Sequence, residues 1–115
     1  MKNIISWALY QADTIWLDPD ANLRKIELAI KRSIKSDIDI LVCPEVCTTA
    51  YATKNPQYAQ SMNSPMINKL AFLANNYDIA ICGSFMINEN DKIYNRFLFF
   101  TPDGVIYKYD KSILF

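Results

Sequence analysis

The sequence of 115 residues contains no histidine and only two glycines. The lack of histidine removes the usual imidazole base and the commonest metal ligand. Any acid–base chemistry therefore falls to carboxylates, lysine, tyrosine or cysteine. The segment Gly83-Ser84 lacks the further glycines of a phosphate-binding loop, so no nucleotide site is predicted.

The formal net charge is zero, because twelve basic and twelve acidic side chains cancel. No segment concentrates Lys and Arg, which argues against nucleic acid and anionic membrane as partners. The apolar runs are too short to span a bilayer. Residues 1–7 resemble a first strand and carry no cleavage site typical of a secretory signal, so a cytoplasmic location is predicted.

Cysteine is scarce and odd in number: Cys43, Cys47 and Cys82. Cys43 and Cys82 lie in apolar runs, where a buried and inert thiol is the favoured interpretation. Cys47 lies in a loop and is a weak nucleophile candidate, since without histidine its thiolate depends on a lysine or a helix end. A zinc site at Cys43 and Cys47 lacks a second pair of ligands, so no metal site is predicted.

The residues that are present favour a globular fold, with 51% hydrophobic and 21% charged side chains. An apolar run over residues 4–10 predicts a strand buried on both faces. After a turn at residues 18–20, capped by Asp20, apolar residues at spacings of three and four predict a helix. Residues 38–43 predict a second buried strand, and strand–helix–strand order predicts parallel pairing.

The second half of the chain changes character. Residues 44–63 form a long polar loop, which in a compact domain is typically functional or unstructured. Ser64 caps a second helix that ends near residues 75–76, and residues 79–85 predict a third strand. Turns at 88–91 and 102–104 make the strands at 92–100 and 105–109 antiparallel. The fold class is therefore α/β, a βαβαβ unit followed by an antiparallel meander.

Two charged residues follow predicted strands, where a sheet fixes the backbone and leaves side chains open to substrate. Glu45 follows the second strand, and a partly buried carboxylate beside apolar walls suits a general base. Lys111 follows the last strand and could hold Glu45 in place and stabilise an oxyanion. An exposed loop acid and an ordinary surface lysine are the alternatives.

Two further positions have weaker claims. Asn95 and Arg96 interrupt an apolar strand; they either mark its solvent face, or Asn95 hydrogen-bonds backbone near the pocket. The Tyr51 ring either lines a substrate pocket or packs under the long loop.

Several short motifs, in order, resemble the amino-terminal half of the nitrilase (carbon–nitrogen hydrolase) superfamily and, within it, the ω-amidase-like branch. The motifs are Ala8-Leu9-Tyr10-Gln11, Asn22-Leu23, Leu41-Val42-Cys43-Pro44-Glu45, Thr48-Thr49-Ala50-Tyr51, Gly83-Ser84, Tyr94-Asn95-Arg96, Pro102-Asp103-Gly104 and Tyr109-Asp110-Lys111. The resemblance covers essentially the whole chain, and its specificity comes from order and spacing.

The resemblance implies a Glu-Lys-Cys mechanism with Glu45 as general base and Lys111 as oxyanion-stabilising amine. The family's cysteine nucleophile lies beyond Phe115, and none of the three cysteines here occupies its place. The implied substrate is a small ω-amide of a 2-oxo dicarboxylic acid, hydrolysed to acid and ammonia. No metal or organic cofactor is implied.

The resemblance also implies an α-β-β-α sandwich, with residues 1–115 as the amino-terminal part of a carbon–nitrogen hydrolase domain. Exposed apolar surface, and hence oligomerisation or association with a complementary chain, is expected. Three alternatives follow: a truncated hydrolase inactive alone, an enzyme completed by a separate chain, or a non-catalytic α/β module that binds a partner through its incomplete sheet.

Overall fold

The computed structural model describes residues 3–11, 14–15, 18–49 and 56–111. Two α-helices and five strands occur in these residues, together with one turn of 3₁₀-helix at Pro56–Tyr58. In chain order they are β1 (Trp7–Leu9), α1 (Pro19–Lys35), β2 (Ile40–Val42), α2 (Pro65–Asn76), β3 (Ala80–Glu89), β4 (Lys92–Phe100) and β5 (Ile106–Asp110).

The strands of the described residues form one sheet in the order β1-β2-β3-β4-β5. The pairs β1–β2 and β2–β3 are parallel. The pairs β3–β4 and β4–β5 are antiparallel. The predicted α/β fold class and the change from parallel strands to a meander are confirmed.

Helix α1 begins earlier than the sequence pattern suggested. Asp18, not Asp20, is its N-cap, and the Asp18 carboxylate accepts a hydrogen bond from the Ala21 amide at 3.1 Å. Pro19 explains the difference, because proline fixes a helical φ and is favoured at the first helical position. The predicted Ser64 cap of α2 is confirmed, with its Oγ accepting from the Ile67 amide at 3.4 Å.

The hydrophobic core lies between the two helices and one face of the sheet, which we call the covered face. Alternation along the strands places Ile81, Leu98 and Phe100 on this face, and each is fully buried. They pack with helix residues such as Ile30 and Leu70. Burial of one stripe of each helix against the sheet is what holds these layers together.

The other face of the sheet, which we call the open face, is buried along β3 but exposes apolar side chains on both edge strands. Trp7 and Leu9 in β1 are 60% and 64% exposed, and Tyr107 and Tyr109 in β5 are 63% and 65% exposed. The expectation that the first strand is buried on both faces is therefore wrong for the described residues. The apolar surface that the resemblance implied is present on this face.

Neither helix in the described part of the chain has both the length and the apolar character needed to cross a bilayer.

Candidate functional site

The loop after β2 is held against β3 by a close backbone approach. The Cys43 amide donates to the Cys82 carbonyl at 2.7 Å. A Cβ atom added at Gly83 would lie 2.9 Å from the Cys43 Cβ, closer than such atoms ordinarily come. Gly83 is thus required by packing, and its lack of a side chain lets the acid-bearing loop lie on the sheet.

Directly after Glu45 the backbone takes a strained conformation. Val46 is fully buried and has a φ of 43°, in the left-handed region that β-branched residues rarely adopt. Its amide donates to the Ser84 Oγ at 2.8 Å, and the next amide, of Cys47, donates to the Ser84 carbonyl at 3.2 Å. Such strain costs on the order of 1–3 kcal/mol and is typical of functional sites, where surrounding contacts hold it in place.

Three polar side chains from distant parts of the chain meet beside this turn. Asn95 Nδ2 donates to Glu45 Oε1 at 2.6 Å, and Lys111 Nζ donates to the same oxygen. The Glu45 side chain is 32% exposed and that of Lys111 is 49% exposed. The structure therefore brings together the acid and the amine that the sequence singled out, and it pairs them.

Asn95 is bound more tightly than the sequence suggested. It is 3% exposed and bonds the Glu45 carboxylate rather than backbone, so the solvent-face interpretation is wrong. Its Oδ1 is buried and accepts no hydrogen bond from the described residues. Since an unsatisfied buried acceptor is unfavourable, a polar side chain at this position is better explained by the site than by core packing.

The solvent-face interpretation is also wrong for Arg96, whose side chain is 1% exposed on the covered face. It pairs with Asp110 and Glu89, and its hydrogen bonds lower the pKa of both carboxyl groups. An arginine in an apolar strand, with acids at the ends of both neighbouring strands, was the available signal. A buried guanidinium requires such partners.

A cavity of about 340 Å³ opens beside Glu45 and Lys111. It is lined by Cys43, Glu45, Gly83, Ser84, Phe97, Tyr109 and Lys111. Phe97 and Tyr109 belong to the open face, so the cavity continues onto the uncovered side of the sheet. A cavity of this volume lies at the small end of the range for small-molecule sites. Tyr51, the other predicted lining residue, lies outside the described residues.

Residues 7–115 match the family model described as carbon-nitrogen hydrolase. This chain belongs to the carbon–nitrogen hydrolase family. Among curated proteins it is similar to omega-amidase YafV of Yersinia enterocolitica, with 37% identity over 107 residues. That match includes 93% of this chain but 41% of the relative.

Solved structures of the same superfamily share the fold. The chain is similar to XC1258 of Xanthomonas campestris, a CN-hydrolase superfamily protein, with a TM-score of 0.87 and 28% identity over 95% of this chain and 41% of that one. It is also similar to Saccharomyces cerevisiae Nit3, with a TM-score of 0.84 and 28% identity over 95% of this chain and 44% of that one. The chain thus spans less than half the length of each of these relatives.

The three cysteines of this carbon–nitrogen hydrolase chain are buried. The pKa of the Cys47 thiol is raised well above its ordinary value, mainly by a hydrogen bond with Cys43 and secondly by burial. Burial also raises the pKa of Cys82, to about 11. Because the thiolate is the reactive form, these shifts oppose a nucleophilic role. No group of three or more Cys, Asp or Glu side chains suited to a metal ion occurs within the described ranges.

Proposed function

We propose that this chain supplies the general base and the oxyanion-stabilising cation of an enzyme that hydrolyses the carbon–nitrogen bond of a small amide. The observation that carries the proposal is the convergence of Lys111 and Asn95 on one oxygen of Glu45, at the edge of a cavity. Membership of the carbon–nitrogen hydrolase family supports the reaction class.

In the proposed mechanism, Glu45 takes the proton of a cysteine thiol and the thiolate attacks the amide carbon. Lys111 and a backbone amide stabilise the oxyanion, and Glu45 returns its proton to the departing ammonia. Glu45 then activates a water molecule that hydrolyses the thioester and restores the thiol. The net reaction converts one amide and one water into a carboxylic acid and ammonia, and the steps require no metal or organic cofactor.

We propose that the nucleophilic cysteine lies outside the 115 residues, so that they form the amino-terminal part of the domain and are inactive alone. Cys47 is 2% exposed and its pKa is raised, which makes it a poor thiolate. Cys43 borders the cavity but is itself buried in the core. The chain spans 41% of its Yersinia relative, so more than half of that relative has no counterpart in these 115 residues.

The substrate we propose is a small ω-amide of a 2-oxo dicarboxylic acid. The similarity to an omega-amidase supports this class. A cavity of about 340 Å³ with aromatic walls has the size expected for a short substrate. The rings of Phe97 and Tyr109, which line the cavity, would contact the carbon skeleton of the substrate.

We further propose that the open face is covered by the segment that carries the cysteine, whether it follows in the same polypeptide or belongs to a separate chain. The exposed Trp7, Leu9, Tyr107 and Tyr109 supply the apolar area that a second sheet would bury. This association would place the thiol over the cavity, because the cavity opens on that face.

The test is an ammonia-release assay with an ω-amide of a 2-oxo dicarboxylic acid. The 115-residue chain is assayed alone, then together with the complementary carboxy-terminal segment of the Yersinia relative. We expect turnover only in the mixture. General acid–base groups contribute roughly 10²–10⁴-fold to rates, so Glu45→Gln should lower turnover by about that factor. Glu89→Gln, which removes an acid outside the cavity, is the matched control.

Turnover by the chain alone that disappears on Cys47→Ser would overturn the assignment of the nucleophile. Association of the two segments without turnover of any ω-amide would instead favour a non-catalytic module that binds through its incomplete sheet.

A further inference from the structure

Arg96 is the largest side chain that is fully buried in the described residues, and two carboxylates hold it from opposite sides. Its Nε and Nη2 donate to Asp110 at 2.6 and 3.0 Å. Its Nη1 and Nη2 donate to Glu89 at 3.2 and 3.0 Å. Both pairs are bidentate, which is the strongest and most directional form of such a contact.

The pair with Asp110 lies directly behind the candidate site. Arg96 follows Asn95 in β4, and Asp110 precedes Lys111 at the end of β5. Arg96 and Asp110 are register partners at the end of the β4–β5 ladder, and the next hydrogen bond runs from the Lys111 amide to the Asn95 carbonyl at 3.1 Å. Because side chains alternate, Asn95 and Lys111 project to the open face.

Few other side chains of β5 near Lys111 are buried against the rest of the protein. It is an edge strand of five residues, and Tyr107, Lys108 and Tyr109 are exposed. Ile106 packs against the core, but it lies at the opposite end of the strand. Edge-strand ends with little burial open readily. The Arg96–Asp110 pair is therefore the main side-chain contact that holds this end of β5 on β4.

We propose that Arg96 and Asp110 are positioning residues: their ion pair on the covered face fixes the end of β5 so that Lys111 reaches Glu45 on the open face. A catalytic effect of this ion pair rests on the proposed function, but its effect on the position of Lys111 does not. Lysine has a flexible four-carbon stem, so a loose strand end would spread its ammonium over many positions. A fixed end limits that spread to positions from which Nζ bonds the carboxylate.

Glu89 provides a matched comparison within the same network. It shares Arg96 with Asp110, makes an equal number of hydrogen bonds and is similarly exposed, at 39% against 34%. It lies at the far end of β3, beside the turn to β4, and its register partner is Lys92. Lys108 Nζ also lies 3.9 Å from Glu89. Glu89 reaches β5 only through this contact with Lys108, whereas Arg96 donates two hydrogen bonds to Asp110, the residue directly before Lys111.

The experiment compares Asp110→Asn with Glu89→Gln by nuclear magnetic resonance of the purified protein. One readout is the ¹⁵N–¹H signal of the Lys111 ammonium, assigned by its loss in Lys111→Gln and visible only while a hydrogen bond slows proton exchange. The second is the hydrogen–deuterium exchange rate of the Lys111 amide. A charged hydrogen bond makes local opening harder, so Asp110→Asn should erase the ammonium signal and speed amide exchange by about tenfold. Glu89→Gln should keep the signal and change exchange by less than about threefold.

Arg96→Met separates positioning from a direct attraction between the Asp110 and Lys111 charges, because it keeps both charges and removes the link. It should reproduce the effect of Asp110→Asn. If Arg96→Met does not fold, the comparison of Asp110→Asn with Glu89→Gln carries the test, since both changes are at half-exposed carboxylates.

Equal effects of the Asp110 and Glu89 changes, or an unchanged Lys111 signal in Asp110→Asn, would overturn the proposal. An unchanged signal in folded Arg96→Met would do so as well. Neither readout requires turnover. If the variants behave as expected by nuclear magnetic resonance but the ammonia-release assay fails, the proposed function is overturned and the positioning role of Arg96 and Asp110 still stands.

Discussion

The two faces of the one sheet are built from alternate residues of the same strands, yet they do different work. On the covered face the apolar residues are buried by helices, and the one arginine there is neutralised by two acids. On the open face the rings of Phe97 and Tyr109 remain exposed beside the Glu45–Lys111 pair. The covered face thus provides rigidity, and the open face holds the Glu45–Lys111 pair.

Phe99 and Phe100 test this contrast most directly, because they are neighbours in β4 on opposite faces. Phe100 is fully buried and packs edge-to-face on Phe85. We expect Phe100→Ala to lower the free energy of unfolding by about 3–5 kcal/mol through the cavity it leaves. Phe99→Ala should cost about 1 kcal/mol, because its half-buried ring loses less apolar contact.

Urea denaturation followed by circular dichroism measures both values. Similar losses for the two variants would mean that the open face is as well packed as the covered one, contrary to the structure.

Ser84 tests how the open face holds its strained turn. Ser84→Ala removes the acceptor of the buried Val46 amide and should cost about 1–3 kcal/mol of unfolding free energy. Ser33→Ala is the control, since Ser33 Oγ only adds a second donor to the Ala29 carbonyl within α1. Alanine has the higher helix propensity, which should offset the lost hydrogen bond, so Ser33→Ala should change the free energy of unfolding by about zero. A Ser84 variant as stable as the Ser33 variant would show that the turn does not depend on this bond.

Leu9 and Leu28 test whether self-association depends on the open face or on exposed apolar area anywhere on the surface. Both leucines are more than half exposed, Leu9 on the open face and Leu28 on the outer side of α1. Leu9→Ser should weaken self-association by about tenfold in dissociation constant, given the apolar area that a leucine buries. Leu28→Ser should leave it unchanged. Sedimentation velocity over a range of concentrations measures the effect, and equal responses would remove the open face as the association surface.

The smallest effect should be the contribution of Glu89 and Asp110 to the pH dependence of stability, because both carboxylates are partly in water and solvent screens them. Arg96 lowers the pKa of Glu89 and of Asp110 in the folded state. Their stabilisation is therefore complete above the ordinary carboxyl pKa of the unfolded chain and is lost as the pH falls through the lowered values.

The double variant Glu89→Gln, Asp110→Asn should consequently lose less stability than the parent between pH 7 and pH 3. Glu27→Gln, at an acid on α1, should retain the parent's dependence on pH. Urea midpoints at a series of pH values decide this, and parallel curves for parent and double variant would contradict it.

Local patterns in the sequence predicted most of the architecture. Spacings of three and four gave both helices, Ser64 gave one cap, and the turns at 88–91 and 102–104 gave the meander. Helix α1 begins two residues before the predicted cap, because Pro19 occupies the first helical position and Asp18 caps it. The strand ends also pointed to Glu45 and Lys111, which lie 66 positions apart and are paired in the structure.

Partners of buried polar groups were not predictable in this way. Nothing near Asn95 in the sequence indicates that its amide bonds the Glu45 carboxylate, 50 positions away. The apolar strand around Arg96 and the acids at the ends of its neighbours hinted at burial, but only strand pairing decided which acids the guanidinium would bind. The positive φ of Val46 is likewise imposed by the contacts of its turn with β3 and runs against the preference of valine.

By itself, the sequence determined the order and type of the elements and the two strand ends where charged groups would appear, since periodicity records which side chains avoid water. Tertiary structure alone decided that one face of the sheet is covered and the other open, and which acid each cation and amide would bind. The physical reason is that a buried charge or amide is stabilised by whatever partner the folded backbone places within hydrogen-bond reach. That proximity is a property of strand pairing and packing, which local sequence does not encode.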